Sequence, residues 1–260
     1  MSAWADRASG PRLRLLGVFR AVADDRILTF PTSARRLLAY LALNEVADRD
    51  RIATDLWPEL PAARAHSDLR TALWRLRRTH PSFVEVDAHA LALGEDVIVD
   101  VHRVREWAAH VLGLDVTPLP DARSEPPRTA GAPLLPAWDD AWLEPHRTAV
   151  HMLQLQAFEM LAAKLLVAGR VAEALPHALR VVQVDPLRES AQALLVEIHL
   201  RQGNVADALR QYGTYRDLLH AELGIAPGLR VSSLIDQVMS RDVAPGSRTA
   251  RPQRLRDTAR

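Results

Sequence analysis

The spacing of apolar residues divides the chain into a short mixed segment and a long helical one. Residues 1–11 carry no periodicity and read as disordered. RLRLLGVFR (12–20) alternates apolar and basic side chains as a half-buried strand does, and 21–30 offers a second strand around a turn at Asp24 and Asp25. Pro31 closes this sheet, and Thr32 or Ser33 can cap a helix over 33–44 that buries Leu37, Leu38, Tyr40 and Leu41. Asp48 is placed to N-cap a short helix at 49–57, with Ile52, Leu56 and Trp57 inward. Pro58 and Pro61 interrupt it, and a third helix over 64–80 runs until Pro81 stops it. Ala65, Leu69, Ala72, Leu73 and Leu76 recur on one stripe of that helix, the spacing of a face packed on a core. Short β runs follow at 83–86, 91–93 and 97–101, separated by turns at 87–89 and 94–96. Strands, three helices and a hairpin in this order predict a winged helix-turn-helix with a small β-sheet and wing over 12–101.

From Asp100 the period becomes helical, with Val104, Trp107, Ala108, Val111 and Leu112 on one face. Residues 117–137 are proline-rich without periodicity and read as a loop; from Trp138 to Met239 the pattern is helical throughout. Within it GRVAEAL at 169–175 returns as GNVADAL at 203–209, an offset of 34 residues, which is the tetratricopeptide period. Two copies bury too little alone, so helices at 146–167 and 227–239 must complete the stack. The fold class is therefore mainly α, with 102–240 as an all-α, tetratricopeptide-like domain and 241–260 as a disordered, arginine-rich tail.

Composition removes several classes of chemistry. There is no cysteine, which excludes disulfides, thiolate nucleophiles and zinc sites of the cysteine type. The ten histidines are scattered, and no HExxH, P-loop, GxGxxG or GxSxG occurs, so no catalytic, metal or cofactor site is expected and the chain reads as a non-enzyme. The start lacks an apolar signal region, and no apolar run approaches membrane-spanning length, so a cytoplasmic, nucleoid-associated protein without membrane contact is expected. With a net charge of +1, any nucleic-acid signal must lie in local charge.

The third helix supplies it. Its outer face carries Arg64, Ser67, Arg70, Thr71, Trp74 and Arg78, with Arg75 and Arg77 at the margins, and five arginines against Asp68 give a local charge of +4. Such a face is most often a merely solvated one. Here the charge has one sign over several turns, a large ring sits among the cations, and the helix is third of three before a hairpin. Those three features together point to a DNA recognition helix. The guanidinium fork suits phosphate or the O6/N7 edge of guanine, and Ser67 and Thr71 are short enough to let the helix approach base edges. Trp74 can touch a thymine methyl, lie along the sugar and backbone, or pack against the wing. Arg35 and Arg36 can hold the DNA backbone or simply be solvated, and His89 at the hairpin tip can reach the adjacent minor groove.

Longer stretches carry a family resemblance. LRLLGVFRA (13–21), RRLLAYLALN (35–44), RDRIATDLWPE (49–59), DLRTALWRLRR (68–78) and VDV (99–101) resemble the DNA-binding half of the Streptomyces antibiotic regulatory protein family. LLPAWDDAWLEPHR (134–147), DPLRESA (185–191), GNVADALRQY (203–212) and ELGIAP (222–227) are similar to its bacterial transcriptional activator domain. The resemblance implies an OmpR-like winged helix and a tetratricopeptide-type domain. It also implies a homodimer, at least on DNA, bound to direct repeats of double-stranded DNA, and activation through the sigma factor or alpha subunit of RNA polymerase. Family members often carry glycine where this chain has Asp24 and Asp25, which leaves the geometry of that turn open. The ATPase and sensor regions of the large members are expected to be absent. The alternatives are a tetratricopeptide scaffold whose winged helix binds protein, and a repressor using the same DNA contacts.

Overall fold

The computed structural model describes residues 10–44, 46–87, 90–113 and 121–242. Most of the disorder expected at 1–11 and 241–260, and the whole of the His89 assignment, fall outside them; Arg241 and Asp242, expected in the tail, instead end the last helix. The chain folds as two compact units, residues 1–168 and 169–260.

The first unit opens on β1 (Arg12–Arg14), β2 (Arg20–Ala23) and β3 (Arg26–Leu28), followed by α1 (Thr32–Asn44), β4 (Val46–Asp48), α2 (Arg49–Leu56) and α3 (Ala62–Thr79). Then come β5 (Val84–Val86), β6 (Ala90–Leu93), β7 (Ile98–Val99), α4 (Asp100–Leu112) and α5 (Glu144–Val167). One sheet runs β3-β2-β1-β7, with β7 parallel to β1 and the other pairs antiparallel. The second runs β4-β6-β5 and is antiparallel throughout. The order of strands, helices and hairpin is the winged helix-turn-helix expected from the sequence, in a mainly helical chain.

Several boundaries differ for physical reasons. The alternating run 12–20 is a hairpin, not one strand: Gly17 takes φ +84°, and the chain reverses so that Arg14 pairs with Arg20. At the next turn Asp24 (φ 50°) and Asp25 (φ 57°) both occupy the left-handed region, as the two-residue turn of a tight hairpin demands, and Asp25 also pairs with Arg12 at 2.6 Å. The polar stretch read as a turn before α2 contains β4, which the sequence shows no periodicity for because it is three residues long. Asp48 at its end caps α2 as expected, accepting from the Asp50 and Arg51 amides at 2.6 and 3.4 Å. The last β run stops at Val99, because Asp100 opens α4 and turns its carboxylate back to Leu15 and Leu16, just past β1.

That carboxylate fixes the end of the first strand. Asp100 is 5% exposed, and its two oxygens accept the Leu15 and Leu16 amides at 2.9 and 3.0 Å. Burial pushes its pKa above the usual carboxylate value, more than the backbone donors and Arg14 lower it. Leu15 and Leu16 also engage the proline-rich loop: Leu16 bridges Leu134, the Leu135 amide donates to the Leu15 carbonyl at 3.0 Å, and Ala130, Leu134 and Leu135 are buried. The Arg147 guanidinium at the start of α5 holds the same loop through the carbonyls of Leu134, Leu135 and Trp138. Arg36 of α1 pairs with Asp140, Tyr40 packs on Trp142 at 5.1 Å, and Trp107 of α4 packs on Phe158 of α5 at 5.0 Å. The winged helix, the loop and α4–α5 thus share one body. The segment Ala141–Val167 is long and apolar enough by length and composition to cross a membrane, but half of its most apolar window is buried, as in a core helix.

The second unit holds α6 (Val171–Val184), α7 (Glu189–Arg201), α8 (Val205–Leu223) and α9 (Leu229–Asp242). The repeated motif falls at matching places: Gly169 and Gly203 take φ +75° and +77°, and α6 and α8 begin two residues after each. Ala174 and Ala208, also in register, are fully buried. Ala208 packs with Val196 of α7 and Ile235 of α9, flanked by Leu200, Tyr212 and Leu234. Glu189 closes the far end, accepting the Gly228 amide at 2.9 Å and the Tyr215 hydroxyl at 3.2 Å.

Candidate nucleic-acid interface

The helix that carries the candidate contacts is set by apolar burial on one side only. Ala65, Leu69, Ala72, Leu73 and Leu76 are all buried, with α3 packed against α1 and α2. Burial of each leucine contributes about 1.5–3 kcal/mol, enough to hold the helix without help from its solvent face. Pro61 precedes the helix and His80 closes it through a 2.7 Å bond from its amide to the Leu76 carbonyl. The ring of His80 sits edge-on to Phe30 and Phe83 at 5.3 and 6.2 Å, which pins this end to the sheet region. Arg77 and Arg78 fall in the last turn, where the helix dipole favours cations. At 18 residues α3 extends about 27 Å, longer than the width of a major groove.

Of the residues proposed from sequence, Arg64, Arg70, Thr71, Trp74, Arg75, Arg77 and Arg78 are exposed and Ser67 is half-buried, all on α3. Arg64 lies 3.6 Å from Asp68, one turn on, so the helix's own acid partly neutralises it. Among the described residues no ion pair takes Arg70, Arg75, Arg77 or Arg78. Thr71 turns its hydroxyl onto the Ser67 carbonyl at 3.0 Å. Trp74 is 58% exposed, and the Arg78 guanidinium lies over its ring, 5.1 Å from the centroid. Arg35 stands apart: it is half-buried in α1 and donates to the Thr32 hydroxyl at 3.2 Å. Arg36 points instead to Asp140.

Two contacts that orient the surface have no signal in local sequence. His66 bridges α3 and α2, with Nε2 at 2.7 Å from the Asp50 carboxylate and Nδ1 at 2.7 Å from the Ala62 carbonyl. These partners, the carbonyl first, raise its pKa above the usual imidazole value. Arg49 at the start of α2 donates to the Asp87 carbonyl at 3.1 Å, tying that helix to the base of the wing. Both pairs are brought together by the tertiary fold across 16 and 38 residues. The wing needs a small residue at its other end, because a Cβ on Gly94 would stand 2.1 Å from the Ser82 carbonyl oxygen.

A winged helix with a basic outer face is followed here by helical repeats. Residues 130–239 match the family model of the bacterial transcriptional activator domain. The chain is 28% identical over 257 residues to regulatory protein AfsR of Streptomyces griseus, covering 90% of this chain and 25% of that protein. It is 28% identical over 256 residues to regulatory protein AfsR of Streptomyces coelicolor, covering 90% of this chain and 24% of that one. It therefore spans about a quarter of the length of these curated relatives. Its fold resembles that of Mycobacterium tuberculosis EmbR, solved in complex with a low-affinity phosphopeptide, with a TM-score of 0.72 at 22% identity over 89% of this chain and 65% of that one. Over nine-tenths of its length the chain is thus similar to part of these regulatory proteins, and residues 130–239 are similar to the bacterial transcriptional activator domain.

Proposed function

We propose that the chain is a sequence-specific, DNA-binding activator of a secondary-metabolite (antibiotic) biosynthetic gene cluster. The observation that carries this is the outer face of α3: Arg70, Arg75, Arg77 and Arg78 are exposed and, among the described residues, without acid partners, on a helix packed from behind. Arg70, near the middle of that face, is the base reader, while Arg75 and Arg77 at its margins meet phosphates on either side of the groove. Ser67 and Thr71 let the helix come close, Arg64 adds a weaker phosphate contact, and the wing follows the adjacent minor groove. Arg35 is at most a peripheral contact from the end of α1.

One recognition helix covers too few base pairs to select a promoter, so two protomers act together. They bind direct repeats head to tail, the helical domain supporting the pairing and meeting the sigma factor or alpha subunit of RNA polymerase. Faces of the duplex recur each turn, so half-site centres lie about 10–11 bp apart or at multiples. The test is a phasing series on a bound promoter. An insertion of about 5 bp, half a turn, should abolish cooperative binding and activation, and a whole-turn insertion should restore part of both. Cooperativity that survives the half turn unchanged contradicts the tandem arrangement.

A further inference from the structure

Most of the outer face of α3 is cationic or polar, and Trp74 stands out on it. A large ring left 58% exposed gives up the free energy of burial, which a solvated helix has no reason to forgo. Its surroundings leave the ring prominent. Thr71 and Ser67, one and two turns away on the same seam, are short, and Thr71 spends its hydroxyl on the Ser67 carbonyl. Arg78, one turn on, lays its guanidinium over the indole. That stack restrains both side chains and attaches a cation to the ring without covering its remaining surface.

Accepting the DNA-binding reading above, the chemistry of the groove identifies the ring's target. The edges exposed in the major groove are hydrogen-bond donors and acceptors, except for the 5-methyl group of thymine. The apolar face of an indole carried on the central seam of a groove-bound helix matches that methyl, because the same face laid on an amino or carbonyl edge strands a polar group, while its Nε1–H remains free to donate to a nearby O4, O6 or N7. We infer that Trp74 is a specificity-determining residue that reads the 5-methyl of a thymine, and that Arg78 is the positioning residue that fixes the indole. Arg78 thereby does two things at once: it steadies the ring and leaves its N–H groups for a neighbouring phosphate.

Replacing thymine by deoxyuridine removes that methyl and keeps the base pair. The full chain is used to select a duplex from random-sequence DNA, and each thymine in the selected site is then replaced singly, with affinity read by fluorescence anisotropy at fixed salt. At one or two thymines per half-site the replacement should weaken the parent about fourfold, the value of one buried methyl group. Trp74→Ala should bind the unmodified duplex more weakly and show no further loss at those thymines, while Trp74→Phe should keep part of the discrimination. Arg78→Ala should reduce the thymine-to-uracil ratio as well as the affinity, which a phosphate contact alone would not do. A parent indifferent to every replacement overturns the inference and needs no variant to fold. So does a Trp74→Ala chain that keeps the parent's ratio. If the chain binds no duplex in a salt-sensitive way, the DNA-binding reading itself fails, a separate result.

Discussion

Removing the Asp100 carboxylate tests how the winged helix is joined to the helices that follow it. Asp100→Ala leaves the Leu15 and Leu16 amides, both on fully buried residues, without their acceptor. Each stranded donor costs about 1–3 kcal/mol. Part of that is offset because a buried charge, costly enough to raise the pKa of Asp100, is removed as well. The net loss should be about 2–4 kcal/mol for Asp100→Ala, and about 1–2 kcal/mol for Asp100→Asn, which keeps one acceptor and opposes the other amide. The pH dependence has a defined sign. A folded pKa above the ordinary carboxylate value means a contribution that is full below the unfolded pKa and is lost as pH rises through the folded one. The parent's margin over Asp100→Asn should therefore shrink as pH rises across that window. Urea denaturation followed by tryptophan fluorescence gives the stabilities, and hydrogen exchange at Leu15 and Leu16 gives the local effect. Asp100→Ala within about 0.5 kcal/mol of the parent, with both amides still protected, would refute the reasoning.

In the second unit, Ala208→Glu forces an unpaired charge into the contact with Val196 and Ile235. Its thermal transition should disappear while the first unit still melts, and a variant that melts like its parent would sink the repeat assignment. At the α2–α3 bridge the raised pKa of His66 means stability present below the ordinary imidazole value and lost as pH rises through the folded one. By calorimetry, His66→Gln should trail the parent in Tm most at pH about 6 and least near pH 8, since the unfolded histidine titrates at about 6.5. A gap that does not change with pH would remove the bridge from the account.

Much of this was legible in one dimension, for a reason that differs by element. The stripe from Ala65 to Leu76 is long enough to fix both the type and the orientation of α3, so its outer face could be named before any coordinates. The recurrence of GRVAEAL at a 34-residue offset marked the helical repeat, because the left-handed turn demands the glycine and close helix packing demands the alanine. Short strands escaped: β4 and the reversal at Gly17 involve too few residues to show a period, and pairing partners decide them. Long-range polar contacts escaped too. Nothing near Asp100 marks it as the acceptor for amides more than eighty residues away, and nothing near Arg36 marks it as the partner of Asp140. The sequence offered Arg36 as a DNA contact on charge alone, and charge alone does not distinguish an outward arginine from one that binds its own chain.

The most direct test of the central claim is the salt dependence of duplex binding by the full chain, compared with Arg75→Ala/Arg77→Ala. If α3 lies in the groove with both arginines on phosphates, log K for the parent falls steeply against log salt. The double variant should then lose about 1.8 from that slope, 0.9 for each phosphate contact, and weaken on all sequences alike. A parent with no salt-dependent affinity for duplex DNA, or a folded variant with an unchanged slope, would contradict the assignment of α3 as the DNA-binding surface.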